Sequence, residues 1–248
     1  MSIIGIIPAR YASTRLKAKP LLEINGKPLV INVWENMKKS TYISRLIIAT
    51  DDVRILEACK KYGAEVILTS PNLSSGTDRI FEAYKKTGEI EDIIVNIQGD
   101  EPLLMAESID KMLNIFQYNN FAEVGTLITK IKSYKDLISS NTVKVVIDNN
   151  NNAMYFSRSP IPFFRDENIE NWIIKFDYWK HIGVYAYRKE ALYKFINLFQ
   201  SKYEHIEKLE QLRLLEADTK LLCVKIEQDC IGVDTQEDLD LVRNILAK

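Results

Sequence analysis

Four short apolar runs, "IIGIIPA", "RLIIAT", "EVILTS" and "DIIVN", recur through the first hundred residues and are separated by longer stretches. A run that is apolar at consecutive positions has no polar face to give to water, so each reads as a strand buried on both sides. Between them, "KPLVINVWENMKKS" sets Leu29, Val33 and Met37 four apart, with Val30 and Trp34 beside that stripe. "VRILEACKKYG" closes on Gly63 and "SGTDRIFEAYKKTG" near Gly88, which completes three predicted helices. Buried strands alternating with helices predict an α/β fold: a mostly parallel, Rossmann-like sheet flanked by helices. In such a sheet ligands lie beyond the carboxyl ends of the strands. Those ends are "PARYASTR", "ATDD", "TSPNLSSGTDR" and "QGDEP", all polar or charged, so one rim collects the chemistry.

The second half is richer in strands. "AEVGTLITKI" and "YWKHIGVYAYRKEAL" carry strand patterns, and "VKVVIDNNNNAMYFS" reads as a hairpin about its asparagine turn. "HIEKLEQLRLLEADT" spaces Ile206, Leu209, Leu212 and Leu215 three apart and predicts one helix. "KLLCVKI" is a late strand, and the closing helix has Asp234 or Thr235 as its cap. No Pro/Gly/Ser linker divides the chain. A single domain over 1–248 is expected, with a core from 1–125 and 220–248 and a smaller strand-rich lobe over 126–219.

A chain of 248 residues has ample length for a full core. Its net charge of −1 gives no global field for nucleic acid or an anionic membrane, so any anion site must be local. The three cysteines, Cys59, Cys223 and Cys230, lack metal-ligand spacing and suit reduced thiols. No uncharged apolar run approaches the ~20 residues of a membrane helix. "MSIIGIIPAR" is broken too early by Pro8 and Arg10 to read as a signal peptide. A cytoplasmic protein is expected.

"PARYASTRLKAKPL" concentrates Arg10, Arg15, Lys17 and Lys19 directly after the first strand, without a glycine. Side-chain cations and backbone amides there suit a phosphate, with arginine as a forked donor and lysine as a mobile point charge. The alternative is a solvated basic loop. In "NIQGDEP", Asp100 follows a glycine turn at a strand end, where a carboxylate can hold Mg²⁺ together with substrate phosphates. Its neighbour Glu101 could be structural. Asp234 in "IGVDTQED" has a similar setting, and a helix cap is its alternative role.

In order and at compatible spacing, "IIPARYASTRL", "KPL", "ATDD", "SGTDR", "VNIQGDEP", "YFSRSPIP", "HIGVYAY", "EKLEQLR" and "GVDTQEDL" span the chain. This series resembles that of the 3-deoxy-manno-octulosonate (Kdo) cytidylyltransferases. The resemblance implies that CTP and Kdo give CMP-Kdo and diphosphate, feeding lipopolysaccharide synthesis. It implies Mg²⁺ held by Asp100 and Asp234, and a triphosphate met by Arg10 and Lys19 with Ala9 and Arg15 nearby. Ser75, Gly76 and Arg79 would serve the nucleotide pocket with Asp100, and Arg10, Lys19, Asp100 and Asp234 would form the catalytic set. Gln98, Arg158, His181, Tyr185, Glu210 and Gln211 would take the sugar. Each of the last group has a plainer reading: His181 as a core histidine, Tyr185 as strand packing, Glu210 as helix decoration. His205 reads as structural or as a subunit contact. A homodimer through the 126–219 lobe is implied, where Trp172, Phe176, Tyr178 and Trp179 cluster.

One departure stands out. Similar proteins carry Pro-Gly where this chain has Lys17-Ala18, so proline's fixed φ and glycine's tolerance of positive φ are both lost. A more mobile loop with altered affinity is expected, rather than lost activity. Two further readings are weaker. A non-catalytic nucleotide-binding module should have lost Asp100, Asp234, Arg10 or Lys19, and a nucleic-acid binder should carry a basic-aromatic stretch. A cytidylyltransferase for a related acidic sugar, 8-amino-Kdo or a sialic acid, is the alternative within enzymes.

Overall fold

The computed structural model describes residues 1–12 and 16–247. Strand β1 (Ile3–Ala9) leads through a small hairpin, β2 (Glu23–Ile24) and β3 (Lys27–Pro28), into helix α1 (Leu29–Met37). Then follow β4 (Arg45–Thr50), α2 (Val53–Lys60), β5 (Glu65–Leu68), α3 (Gly76–Lys86), β6 (Ile93–Asn96) and α4 (Ala106–Tyr118). The second half comprises β7 (Val124–Lys130), α5 (Tyr134–Ile138), β8 (Lys144–Ile147), β9 (Ala153–Ser157), α6 (Trp172–Lys175) and β10 (Trp179–Arg188). It closes with α7 (Lys189–Asn197), α8 (Lys202–Glu207), α9 (Gln211–Glu216), β11 (Leu221–Ile226) and α10 (Gln236–Leu246).

Among the described residues, nine strands form one sheet whose main path runs β11-β7-β10-β6-β1-β4-β5. The four apolar runs are its parallel half: β1 pairs with β4 and β6, and β4 with β5, all parallel. Their two-sided apolarity has the expected cause. In β1, Ile3 and Ile7 enter the core on one face of the sheet while Ile4 and Ile6 enter the core on the other. β6 repeats this, with Ile93 and Val95 on one side and Ile94 on the other.

The segment 126–219 is not set apart from the sheet. β10 lies between β6 and β7, antiparallel to both, and so runs through the middle of the molecule. The β8–β9 hairpin forms about the asparagine turn as expected and joins the sheet through β10. Of the aromatics clustered there, Trp172 and Tyr178 are buried in a small core with Ile131 and Leu137, while Phe176 is exposed. The three cysteines are free and buried.

The helix expected over "HIEKLEQLRLLEADT" is a correction. It is two helices, α8 and α9, because Lys208 adopts a left-handed conformation (φ 54°) that stops the first. Ile206, counted on the apolar stripe, is consequently exposed. The closing helix α10 is capped by Thr235 through a reciprocal capping box with Asp238, so Asp234 lies outside the helix.

Candidate active site

A cleft of about 380 Å³ opens at the carboxyl ends of β1 and β6 and is lined from three of the four polar rims. Ala9 and Arg10 come from the first, Ser75, Gly76 and Arg79 from the third, and Gln98 and Asp100 from the fourth. Lys19, Glu210 and Asp234 complete it. Arg158, His181, Tyr185 and Gln211 are not among its lining residues. Arg15 lies outside the described residues.

At the floor of this cleft Lys19 sits between the two aspartates. Its Nζ donates to Asp100 Oδ2 at 2.6 Å and to Asp234 Oδ1 at 3.0 Å. Burial works against the ammonium, but the two carboxylates outweigh it and raise its pKa. Residues 134 positions apart meet because the Val233 N–H donates to the Asp100 carbonyl at 2.8 Å. The Val233 side chain is meanwhile buried with Ile24, Leu29, Leu239 and Val242, which anchors the turn. Gly99 is required beside Asp100: a Cβ there would lie 3.0 Å from the Pro8 carbonyl oxygen and 3.2 Å from Ile7 Cγ2. Glu101, next in line, has its carboxyl pushed up to about 8 by burial and by the neighbouring Asp100.

The Lys17-Ala18 departure has a clear backbone signature. Ala18 takes the left-handed conformation (φ 55°, ψ 31°) that a glycine would adopt without strain. Its N–H donates to Tyr11 O at 3.3 Å and its carbonyl accepts from Leu21 at 2.8 Å, and the short 3₁₀ turn that follows begins with Lys19. Arg10 is exposed at the cleft mouth.

On the third rim, Ser75 caps α3 in a capping box with Asp78, which consumes its own hydroxyl and amide. Arg79 is 3% exposed, and its guanidinium is committed: Nη1 donates to Thr69 Oγ1 at 2.6 Å and Nη2 to Asp51 Oδ2 at 2.9 Å. Asp51 also accepts the Tyr11 N–H at 3.2 Å. The "ATDD" rim therefore does not line the cleft but ties the backbone at Tyr11 to α3 through Asp51 and Arg79. Asp51 was not singled out from the sequence; its signal is an aspartate one residue beyond a strand end.

The lining also carries Gln98, whose Nε2 donates to Asn96 Oδ1 at 3.4 Å, and Glu210, whose Oε2 accepts from Thr77 Oγ1 at 2.8 Å. Glu210 is placed there by the break after α8, and burial raises its pKa. Away from the cleft the remaining polar groups hold one another. His181 lies 3.0 Å from Thr126 Oγ1, edge-on to Phe156, and burial pushes it down to about 3, so it is neutral near pH 7. Thr126 Oγ1 also reaches the Val184 carbonyl at 2.7 Å, where β10 shifts register, so the "HIGVY" motif marks an irregularity in this strand. Tyr185 is buried and stacks on Tyr187. Arg158 donates to the Glu207 and Ser140 carbonyls, both at 2.8 Å. Gln211 is buried, at 5% exposure, on α9.

The model of the cytidylyltransferase family matches residues 4–223. The chain is 46% identical to a 3-deoxy-manno-octulosonate cytidylyltransferase of Parabacteroides distasonis, covering 100% of this chain and 99% of that one. It is 42% identical to the protein of that name from Thermodesulfovibrio yellowstonii, over 99% and 98% of the two chains. Among solved structures it superposes, with a TM-score of 0.92 and 37% identity, on a CMP:2-keto-3-deoxy-manno-octonic acid synthetase complexed with CTP, covering 100% of this chain and 99% of the other.

Proposed function

We infer that this chain, which belongs to the 3-deoxy-manno-octulosonate (Kdo) cytidylyltransferase family, transfers CMP from CTP to Kdo and releases diphosphate. The observation that carries this reading is one cleft lined by two chemistries: the charged Arg10, Lys19, Asp100 and Asp234, and the hydrogen-bonding Gln98 and Glu210. A triphosphate fits the first group and a polyhydroxylated sugar the second.

The anomeric hydroxyl of the sugar attacks the α-phosphorus of CTP in line, and diphosphate leaves. Such a displacement needs alignment and charge compensation rather than a covalent nucleophile. Arg10 offers a forked donor to phosphate oxygens, while Lys19 follows them as a point charge. Because Asp100 and Asp234 already converge on one ammonium, their oxygens suit a single cation position. Mg²⁺ asks for one or two carboxylates plus phosphate oxygens and water, which this pair and a triphosphate supply. When bound, Mg²⁺ offsets the negative charge of the nucleotide phosphates. Lys19 must then exchange its carboxylate partners for phosphate oxygens, a short move for a flexible side chain. Gln98 and Glu210 orient the sugar hydroxyls. For Arg158, His181, Tyr185 and Gln211 as sugar residues, and for Ser75, Gly76, Arg79 and Ala9 at the nucleotide, the support is the motif match and, for the last four, their place in the lining.

The product fits lipopolysaccharide synthesis in the cytoplasm. No helix among the described residues is long and apolar enough to cross a membrane. A homodimer would cover Phe163, Ile174 and Phe176, which are 76%, 79% and 48% exposed within the 126–219 segment. The test is diphosphate release with CTP and Mg²⁺ against Kdo, 8-amino-Kdo and a sialic acid in parallel. Turnover is expected with Kdo; its absence there, or faster turnover with another sugar, overturns the reading.

A further inference from the structure

Glu210 is a partly buried carboxylate lining the cleft from the start of a short helix. Burial raises its pKa, so a charged carboxylate there needs a donor. Arg213 on the same helix favours the charged form through space, but its hydrogen bonds go to Glu204, from Nε at 2.8 Å and Nη2 at 2.6 Å. Asp78 and Glu204 add unfavourable negative charge. The group that reaches Glu210 is a hydroxyl from the start of α3, Thr77 Oγ1, at 2.8 Å.

Thr77 is the second residue of α3, directly after Ser75 and Gly76, which line the cleft. It is 3% exposed. A threonine hydroxyl has one proton; spending it on Glu210 leaves the oxygen free to accept. The contact therefore ties Glu210 to the first turn of α3. The cap of α3 does not depend on it, because Ser75 and Asp78 close the helix by themselves.

We propose that Thr77 is a positioning residue: its hydroxyl aims the Glu210 carboxylate at the sugar and ties it to the turn that lines the nucleotide side. This rests on the reading of Glu210 as a sugar-side group. The hydroxyl touches neither reacting atom, so its signature is in sugar affinity and not in nucleotide affinity. Losing a hydrogen bond to a charged group is expected to cost about 10- to 100-fold.

The test compares Thr77→Val, Thr77→Ser and Glu210→Gln with the unaltered enzyme, measuring KM for Kdo and for CTP separately. Valine keeps the buried volume and removes the donor. Thr77→Val is expected to raise KM for Kdo at least tenfold while KM for CTP stays within twofold, and Thr77→Ser is expected to restore it. The double variant Thr77→Val/Glu210→Gln should be no worse for Kdo than Glu210→Gln alone, because the two groups act as one unit. If Glu210→Gln weakens Kdo and Thr77→Val does not, the positioning role falls and the sugar-side reading stands. If neither variant affects Kdo, both fall. Should the valine protein prove insoluble, Thr77→Ala is read by the same criteria.

Discussion

The residues proposed for the phosphates and those proposed for the sugar are held in place by different physics. At the phosphate end, Lys19, Asp100 and Asp234 come from loops and turns and are held by charge, with side chains partly open to solvent. Of the residues proposed for the sugar, His181, Tyr185 and Gln211 are buried away from the cleft lining, and Arg158 is spent on backbone carbonyls. The first arrangement can exchange one cation for another at little structural cost. The second cannot lose a group without leaving a buried partner unsatisfied. Substitutions at the phosphate end should therefore strike activity and spare the fold, while those on the sugar side should strike both.

The largest expected effect tests the first half of that contrast. Asp100→Ala should lower turnover about a thousandfold, since charge compensation at the phosphates is worth several kcal/mol. Stability should change by less than about 1 kcal/mol, because the lost ion pair is partly exposed and Lys19 keeps Asp234. The pair of measurements is kcat with CTP and Kdo beside a urea unfolding curve. Near-normal turnover at ordinary Mg²⁺ would remove Asp100 from the proposed metal site; a fold lost along with activity would erase the contrast.

Gly99→Ala sharpens the same point through backbone rather than charge. The added methyl meets the Pro8 carbonyl at 3.0 Å, and a backbone oxygen cannot swing aside as a side chain can. The Asp100 turn must shift, and we expect a loss of about 30-fold in kcat together with about 2 kcal/mol of stability. Unchanged kinetics would mean that the position of Asp100 tolerates more displacement than the cleft geometry implies.

On the sugar side, His181 makes a pH-dependent prediction. Burial holds its folded pKa at about 3, against about 6.5 in the unfolded chain. The native state thus binds fewer protons than the unfolded one across that window. Its contribution is complete above pH 6.5 and is lost as pH falls toward 3. Between pH 6.5 and 5 the loss is about 2 kcal/mol by this linkage. His181→Gln should flatten the stability curve over that interval, and parallel curves for the two proteins would show that His181 is not kept neutral.

The phosphate end was the more legible in sequence for a physical reason. Apolar runs fix where strands end, and polar residues just past those ends share a rim. Arg10, Asp100 and the "SSG" turn could be found that way. Asp234 was ambiguous because two residues could cap α10; Thr235 takes the cap and leaves Asp234 to the cleft. Lys19 between the aspartates was not readable, since nothing in spacing brings "VDT" to "GDE". The sugar side hid more. The period of Ile206, Leu209, Leu212 and Leu215 runs unbroken through Lys208, yet the chain turns left-handed there. That turn gives Glu210 its position, and only tertiary packing specifies it. The central place of β10 was likewise invisible, because a strand pattern does not carry its own order in a sheet.

The smallest expected effect lies in the turn that carries Lys19. Ala18 at φ 55° bears a Cβ clash that glycine lacks, about 1 kcal/mol or somewhat more. Glycine gives part of that back through the freer unfolded chain, so Ala18→Gly should stabilise by about 0.5 kcal/mol. The hydrogen bonds from Ala18 to Tyr11 and from Leu21 to Ala18 are backbone groups and survive the change. KM for CTP should move by less than threefold if the turn is already in the conformation that glycine would take. A tenfold weaker CTP affinity would carry a different meaning: alanine would be stiffening the turn in front of Lys19, and charge alone would no longer account for the phosphate end. Paired urea unfolding and CTP titration of the two proteins separates these outcomes, because strain relief raises the unfolding midpoint whether or not affinity falls.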